Sequence, residues 1–391
     1  MKTFRILILF FISILFKAQE MPIMAYHSFT PQTTNLYNFK KFKEAGFNIN
    51  YTVFKTNEQL QLALDLAQKA NIKILAYSDE LITNTENTVL RFRNHPALYG
   101  YFIADEPSSK DFNRVKNLIE LIKKLDSKHI VYTNLFPNYA TKSLLGDLDY
   151  EDYVSLFLKQ VNADLLSFDF YPIVNNQIRK SWYQNLEIIK NISQEFNKPF
   201  WAYACSTIHY DYKKPTLGGL KLQQFSNLLY GAKGLEYFTY ITMDDEYWKK
   251  HNYSYSIVYN NGKPTPTYSL VKAVNEQVKR LSWVFLQSKV DSVFHIGDSI
   301  PIGTKRMNFL PKKFKKFKTF EKRALVSFMS GKNGRFVIIQ NKDMFRSMPF
   351  NYQVTTGVSI IDNNTGKINK TTSKEIINNI PPGDILIFNY Q

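Results

Sequence analysis

The chain is poor in cysteine, which limits the ways in which it can be stabilised. Cys205 is its single cysteine, so no disulfide can form within the chain and stability must come from a hydrophobic core. Hydrophobic residues make up 44% of the 391 residues and aromatic residues 15%, which excludes a disordered chain or a mini-protein. The length suggests two or three domains.

The sequence also lacks an apolar run that would span a membrane comfortably. The stretch from Ile6 to Phe16 is too short, and it follows the basic residues Lys2 and Arg5. Ala18 closes it before polar residues, an order typical of a secretory signal peptide. We therefore predict a signal peptide over residues 1–18 and a bacterial periplasmic or secreted protein with no stable membrane insertion. A non-cleaved anchor is the alternative.

Acidic residues are too few to balance the basic ones. The chain has 33 Asp and Glu against 50 Lys and Arg, a formal charge of +17, which raises nucleic acids and anionic surfaces as partners. The excess is spread along the chain, and its densest run, residues 312–318, lies outside any nucleic-acid-binding motif. We predict a solvated surface loop there and no nucleic-acid partner.

Eight short apolar runs alternate with segments of helical period between residues 22 and 283, which is typical of βα units. The predicted strands are Ile23 to His27, Asn48 to Phe54, Ile72 to Tyr77, Tyr99 to Ala104, Ile130 to Asn134, Leu165 to Phe170, Phe200 to Ala204 and Leu235 to Ile241. Eight units predict an α/β fold, a (β/α)₈ TIM barrel over residues 19–285. A doubly wound open sheet also fits the alternation, but no glycine-rich phosphate loop follows the first strand.

Two of the intervening helices carry capping signals. Glu58 to Ala70 has an apolar face, and Thr56 with Gln59 has the spacing of a capping box. Phe112 to Leu125 is preceded by Ser108 in the same kind of position.

The pattern changes in the last third of the chain. Beyond residue 285, short apolar strands are separated by Gly, Asn and Pro turns, without a long helix. The strands are Ala324 to Phe328, Arg335 to Gln340, Val358 to Ile361 and Ile385 to Phe388. We predict a small all-β, sandwich-like domain over residues 286–391.

Acidic residues follow two predicted strands, at the end of a barrel where catalytic groups lie. Asp105 and Glu106 come directly after strand four, where burial would raise a carboxyl pKa toward the range of a general acid. The alternative is a helix cap beside a solvated glutamate. Asp169 ends strand six, and Tyr171 follows close by. A carboxylate beside an aromatic ring suits the binding of a sugar. The alternative is an aspartate with a structural role in a turn.

Aromatic and histidine side chains near the other strand ends are candidates for saccharide binding, although each could equally belong to the core. They are Tyr26, His27, Tyr77, Tyr171, Tyr203, His209 and Tyr240, with Trp248 in the last loop. No cluster of His, Asp and Glu has metal-binding spacing, so we predict no metal and no cofactor. Glu236 lies inside strand eight, and alternation leaves its direction open.

Three strings resemble the barrel of glycoside hydrolases related to family 42 β-galactosidases. They run from His95 to Pro107, from Ser167 to Pro172 and from Gln223 to Tyr240. The resemblance covers most of residues 22–285. It implies a (β/α)₈ glycosidase of the retaining clan that acts on a carbohydrate.

The resemblance also implies roles for single residues. Glu106 matches the glutamate that is the acid/base of that clan, and Asp105 replaces the usual asparagine before it. The clan's nucleophile is a glutamate that ends strand seven, but residues 201–207 contain no carboxylate. Cys205 is one replacement, and a Cys205–His209 pair for peptide cleavage is another.

Three further alternatives would explain how the protein works without a carboxylate at the end of strand seven. Asp105 could orient an acetamido group of the substrate while Glu106 protonates the leaving oxygen. Asp169, or the acidic loop Asp244 to Glu246, could supply the base or nucleophile, and this alternative is favoured. The barrel could also bind sugar without cleaving it.

These observations together predict an exported glycoside hydrolase. Glu106 is expected to be the general acid/base with Asp105 assisting, and Asp169 is the leading second carboxylate. A non-catalytic carbohydrate-binding barrel is the alternative function.

Overall fold

The computed structural model describes residues 20–391, so the predicted signal peptide lies outside the described residues. Eight parallel strands alternate with helices in the first part of the chain. The barrel strands are β1 (Ile23–Ala25), β2 (Ile49–Tyr51), β3 (Lys73–Ala76), β4 (Leu98–Asp105), β5 (Ile130–Asn134), β6 (Leu166–Phe168), β9 (Phe200–Cys205) and β10 (Gly234–Phe238), with a small hairpin of β7 (Ile173–Val174) and β8 (Gln177–Ile178) between them.

The helices of the described chain surround this sheet or decorate its loops. They are α1 (Leu36–Glu44), α2 (Asn57–Ala70), α3 (Asp79–Thr83), α4 (Thr85–Phe92), α5 (Phe112–Leu125), α6 (Tyr150–Val161), α7 (Trp182–Glu195), α8 (Leu217–Leu229), α9 (Glu246–Lys250) and α10 (Pro266–Leu286). The prediction of a TIM barrel is confirmed.

The strands close into a ring. Their order is β5-β4-β3-β2-β1-β10-β9-β6, and the neighbouring pairs are parallel. The backbone N–H of Leu135 donates to the Ser167 carbonyl at 2.8 Å and joins the two ends of the order. All strand ends that share a direction therefore surround one mouth.

The capping signals are found with one change. The Thr56 hydroxyl accepts a hydrogen bond from the Gln59 N–H at 3.3 Å, as the sequence predicts for α2. Ser108 instead caps a 3₁₀ turn over Ser109–Asp111, because the chain makes this extra turn before α5 begins.

Large side chains fill the barrel interior below the mouth. The rings of Tyr51 and Phe102 stack with centroids 4.2 Å apart, and Tyr132 packs on Phe102. Met24 and Trp201 complete this layer of buried residues. The barrel is thus a packed core, and open space is left at its mouth.

The C-terminal region is all-β, as predicted. A six-stranded sheet, β11-β13-β14-β19-β16-β17, faces a three-stranded sheet, β12-β15-β18, across an apolar core. The strands are β11 (Ser288–Ile296), β12 (Phe314–Lys318), β13 (Ala324–Gly331), β14 (Gly334–Asn341), β15 (Met348–Val354), β16 (Ser359–Ile361), β17 (Ile368–Lys370), β18 (Ile376–Ile380) and β19 (Ile385–Tyr390).

The lysine-rich run differs from its prediction as a loop. Residues 314–318 form β12, because Phe314 and Phe317 pack into the sandwich core. The lysines occupy the remaining positions, and Lys316 pairs with Glu375 at 2.5 Å.

The six-stranded sheet packs against α8 of the barrel. Gln340 on β14 accepts a hydrogen bond from the Ser226 hydroxyl at 2.7 Å and donates to the Leu222 carbonyl at 3.1 Å. The Ser327 hydroxyl donates to the Leu229 carbonyl at 2.7 Å. Within residues 20–391, no helix combines the length and the apolar character that a membrane span requires.

Candidate active site

A cleft of about 430 Å³ opens at the carboxyl ends of the barrel strands. Acidic and aromatic side chains dominate its walls. The lining residues are Tyr26, Asp105, Glu106, Asn134, Tyr139, Asp169, Tyr171, Val174, Arg179, Tyr203, His209, Tyr210, Asp211, Tyr212, Phe238 and Tyr253.

The chain places both members of the Asp105–Glu106 pair on this cleft by leaving the extended conformation. Consecutive side chains of a strand point to opposite faces. Glu106 has a φ of +46°, in the left-handed region, and its N–H donates to the Asn134 carbonyl at 2.9 Å. The turn breaks the alternation, so two adjacent carboxyl groups line one space.

Asp105 is held by two hydrogen bonds. The Tyr26 hydroxyl donates to one carboxylate oxygen at 2.7 Å, and the Asn134 amide donates to the other at 3.1 Å. Surrounding protein raises the Asp105 pKa through desolvation, while both donors oppose that rise by stabilising the charged form.

Glu106 and Asp169 form a hydrogen bond with each other. Burial raises the pKa of both groups, and neighbouring negative charge raises each further. Two neighbouring ionised carboxylates repel each other, so burial and mutual repulsion both favour a protonated form of one member of the pair. The pair is therefore suited to hold a proton at a pH at which an exposed carboxyl group is ionised.

Asn134 links the pair to Asp105. Its amide nitrogen lies 3.1 Å from an Asp105 oxygen and 3.0 Å from an Asp169 oxygen, so these oxygens are at most about 6 Å apart. The Ser167 hydroxyl donates to the Asn134 side-chain oxygen at 3.0 Å and thereby orients the amide. Two carboxyl groups, those of Asp105 and Asp169, thus accept hydrogen bonds from one oriented amide.

Glu236 points into the barrel, beneath the cleft. It is fully buried; the Tyr132 hydroxyl donates to one of its carboxyl oxygens at 2.6 Å, and the other oxygen lies 2.8 Å from the Ser167 hydroxyl. Burial raises its pKa to about 8. Because Glu236 does not line the cleft, it supports Ser167 and Asn134 from below.

The end of β9 contains no reactive nucleophile. The Cys205 thiol is buried and donates to the Thr207 carbonyl at 3.3 Å, and burial raises its pKa to about 12. The His209 ring nitrogen Nδ1 lies 3.0 Å from the same carbonyl. Neither the thiolate nor a Cys–His dyad is formed.

The acidic residues in the loop after β10 make contacts outside the cleft. Asp244 pairs with Lys249 at 2.6 Å, and Asp245 caps α9 by accepting from the Trp248 N–H at 3.0 Å. Neither aspartate lines the cleft, nor does Glu246. Among the residues predicted from the sequence as a second carboxylate, Asp169 therefore faces the cleft, together with Asp105.

Four predicted binding residues line the cleft: Tyr26, Tyr171, Tyr203 and His209. The Thr207 carbonyl can only accept, so His209 donates through Nδ1 and presents Nε2 as an acceptor. Burial lowers the His209 pKa to about 4, which keeps the ring neutral.

Three predicted binding residues do not line the cleft. Tyr240 is corrected to a core residue, because it lies behind the strand and packs against Phe42 with ring centroids 4.9 Å apart. Tyr77 stands in the loop after β3, where its hydroxyl lies 3.4 Å from Asp79. His27 packs edge-on against Trp248.

Several residues that line the cleft were not predicted from the sequence. Asn134 ends β5, so the rule that polar strand ends carry chemistry could have found it. Tyr139 and Arg179 lie in loops, and Tyr212 follows β9 at a distance, so no local pattern marks them. Among residues 20–391, no group of three His, Cys, Asp or Glu side chains is arranged to hold a metal ion.

No protein-family model matches the sequence, and a search of curated proteins gives no match. Solved structures of glycoside hydrolases share the fold. A family 39 glycoside hydrolase from Bacteroides cellulosilyticus WH2 aligns with a TM-score of 0.57 at 10% identity, over 95% of this chain and 81% of that one. A family 5 glycoside hydrolase from Bacteroides vulgatus ATCC 8482 aligns with a TM-score of 0.58 at 11% identity, over 95% and 89%.

A β-galactosidase from the psychrophilic Marinomonas ef1 aligns over a smaller share of both chains. It aligns with a TM-score of 0.52 at 10% identity, over 68% of this chain and 60% of that one. At these identities the likeness establishes the fold, and function has to be argued from the site.

Proposed function

We propose that this protein is an exported glycoside hydrolase that cleaves a glycosidic bond in an oligo- or polysaccharide. The observation that carries the proposal is the meeting of Asp105, Glu106 and Asp169 at one cleft, where the last two are in hydrogen-bond contact and burial raises the pKa of both. Glycosidic cleavage needs a carboxylic acid and a carboxylate side by side. Export rests on the signal-peptide pattern of residues 1–18.

Glu106 is the proposed proton donor. It lines the cleft and is partly exposed, so a leaving-group oxygen can reach it. Burial and the charge of Asp105 raise the pKa of Glu106 to about 7, although its hydrogen bond with Asp169 opposes that rise, so Glu106 can hold a proton near neutral pH. As the leaving group departs, Glu106 gives up that proton, and the negative charge passes to the pair.

Asp105 is the proposed second carboxylate. Asp169 and Glu106 are in hydrogen-bond contact, and two carboxyl groups in direct contact leave no room for an anomeric carbon between them. Asp105 is oriented by Tyr26 and Asn134 and is the most exposed of the three. It can attack the anomeric carbon or orient an acetamido group that does so.

The proposed roles predict retention of configuration. Attack by Asp105 on the anomeric carbon inverts that carbon once, and hydrolysis of the intermediate inverts it again. An acetamido group oriented by Asp105 gives the same two inversions. We therefore expect the first-formed sugar product to keep its anomeric configuration, as followed by NMR.

A Glu106→Gln variant tests the proposal. It keeps the shape of the side chain and removes the acid, so turnover should fall about 10²-fold or more while saccharide binding is retained. Release of reducing ends from a panel of polysaccharides measures turnover. Glu86→Gln makes the same chemical change on the exposed surface of α4 and should leave turnover unchanged. Equal turnover of the Glu106→Gln protein and the wild type would contradict the assignment.

The second candidate function is a barrel that binds saccharide without cleaving it. The end of β9, where the related barrels carry a glutamate, has the buried Cys205. This candidate predicts binding by calorimetry without release of reducing ends from any polysaccharide in the panel.

A further inference from the structure

Arg179 is the one cationic side chain among the described residues that line the cleft. Its guanidinium lies over the Tyr139 ring, 4.4 Å from the centroid, and donates to the Tyr212 hydroxyl at 3.2 Å. Four acidic residues line the same cleft, yet none lies within ion-pair distance of Arg179. Its Nε is buried without a hydrogen-bond partner. Burying part of a charged guanidinium without a carboxylate partner costs free energy, unless a bound ligand supplies the missing negative charge.

Arg179 also lines a second cavity of about 270 Å³, between the β7–β8 hairpin and the C-terminal domain. We call it the basic cavity, because Lys180, Arg323 and Lys342 line it beside Arg179. Arg323 is neutralised by two hydrogen bonds to Asp298, at 3.0 and 3.1 Å.

The lysines of the basic cavity have no acidic partner. Lys180 is exposed, and neither it nor Lys342 has a carboxylate within ion-pair distance among the described residues. Lys342 lies over the Tyr183 ring at 4.4 Å and donates to His295 Nδ1 at 3.0 Å, and neither contact supplies a full negative charge. Burial lowers the Lys342 pKa to about 7, so a bound anion would favour its charged form.

We propose that the substrate is an acidic glycan, with one carboxylate or sulfate group at Arg179 and another in the basic cavity. This inference rests on the proposed function and names its substrate class. Arg179 suits such groups because its planar fork can donate two parallel hydrogen bonds to either anion. The loop containing Ser299 to Ile302 also lines the basic cavity, so the C-terminal domain takes part in substrate selection.

The experiment compares neutral, uronate-bearing and sulfated oligosaccharides of equal length. Protein carrying Glu106→Gln, which is expected to slow turnover, is tested by calorimetry at two salt concentrations. We expect tighter binding of one acidic class than of the neutral oligosaccharides, with a preference that weakens in high salt. Uronate-bearing and sulfated oligosaccharides separate the two possible anions.

Substitutions at the two cationic positions then test the location. Adding Arg179→Gln should weaken acidic binding by about 10- to 100-fold, the size of a lost charge-assisted hydrogen bond, and leave neutral binding within about twofold. Lys180→Gln, on an exposed side chain, should weaken binding of the longer acidic oligosaccharides. Lys312→Gln makes the same charge change on an exposed side chain that lines neither cavity and should have no effect.

The possible failures are distinguishable. Equal affinity for acidic and neutral oligosaccharides, or acidic binding unaffected by both Arg179→Gln and Lys180→Gln, would overturn the acidic-glycan inference and leave the proposed function standing. Failure to bind any saccharide, with the variant folded by circular dichroism, would overturn both.

Discussion

At the scale of single residues, the site depends on how protons are distributed over buried carboxyl groups. Asp105 has two donors that favour its ionised form, whereas Glu106 and Asp169 have each other. Environments that separate the pKa values of neighbouring acids are a way to assign acid and base roles. Here the separation comes from Tyr26 and Asn134 on one side and from mutual burial on the other.

This distribution predicts a bell-shaped dependence of kcat/KM on pH. On the alkaline side, the Glu106–Asp169 pair loses its proton above the usual carboxyl range, because burial raises both pKa values. On the acid side, Asp105 becomes protonated, at a pH that burial also raises. A rate that keeps increasing into the alkaline range would contradict the role of the pair as acid. The two apparent pKa values of this pH profile belong to the coupled carboxyl groups rather than to one residue.

Glu236 should affect stability rather than chemistry. Burial raises its pKa from 4.5 to about 8, so the folded protein keeps a proton that the unfolded chain releases. Its stabilising contribution is complete below pH 4.5 and is lost as the pH rises toward 8, by up to about 1.4 kcal/mol per pH unit. Glu236→Gln is neutral throughout, so its free energy of unfolding should decrease less between pH 5 and 8, as followed by urea denaturation. Parallel pH profiles for variant and wild type would contradict this account.

At the scale of elements, the barrel depends on close contacts between neighbouring strands. Gly234 opens β10 directly against Trp201 of β9, and a Cβ at this position would lie 2.5 Å from the indole ring. The buried indole has little room to move, because it belongs to the packed layer below the cleft. Glycine is therefore required here by packing rather than by its backbone angles.

Gly234→Ala should lower the free energy of unfolding by about 1–3 kcal/mol through overpacking. Gly357→Ala is the comparison, since its Cβ meets nothing within 4 Å and the cost there is the strain of a φ of +85°, about 1 kcal/mol. Thermal and urea unfolding measure both. A smaller loss for Gly234→Ala than for Gly357→Ala would show that the indole moves freely.

At the scale of the whole molecule, the barrel and the β-domain share buried polar contacts. The Gln340 side chain on β14 accepts a hydrogen bond from the Ser226 hydroxyl and donates to the Leu222 and Gly383 carbonyls. The Gln340 and Ser226 side chains are fully buried. Such contacts are stabilising only while both domains are folded. The two domains should therefore unfold together.

Gln340→Ala should lower the free energy of unfolding by about 1–3 kcal/mol for each buried polar group that it leaves unpaired. Gln353→Ala removes a surface hydrogen bond to the Ser373 carbonyl and should cost much less. Calorimetry should show one transition for the wild type and a lower Tm for Gln340→Ala. Two separate transitions in the wild type would contradict the coupling.

Much of the fold follows from local patterns in the sequence. Alternating apolar runs and helical segments predicted eight βα units, and the observed strands lie within a few residues of the predicted ones, as Ile130–Asn134 shows. The positions of Asp105, Glu106 and Asp169 at strand ends also follow, because a polar residue that ends a buried run is a local signal. Burial pattern and strand period are properties of neighbouring residues, so the sequence contains them.

The contacts within the site were decided by tertiary structure. The left-handed turn at Glu106, the bridge through Asn134 and the inward direction of Glu236 depend on ring closure between residues up to 104 positions apart. Tyr240 has the same local pattern as the cleft tyrosines yet faces the core. Arg179 reaches the cleft from a hairpin whose path is set by long-range packing. Spacing along the chain predicts which residues end a strand, whereas only the closed barrel determines which of them meet.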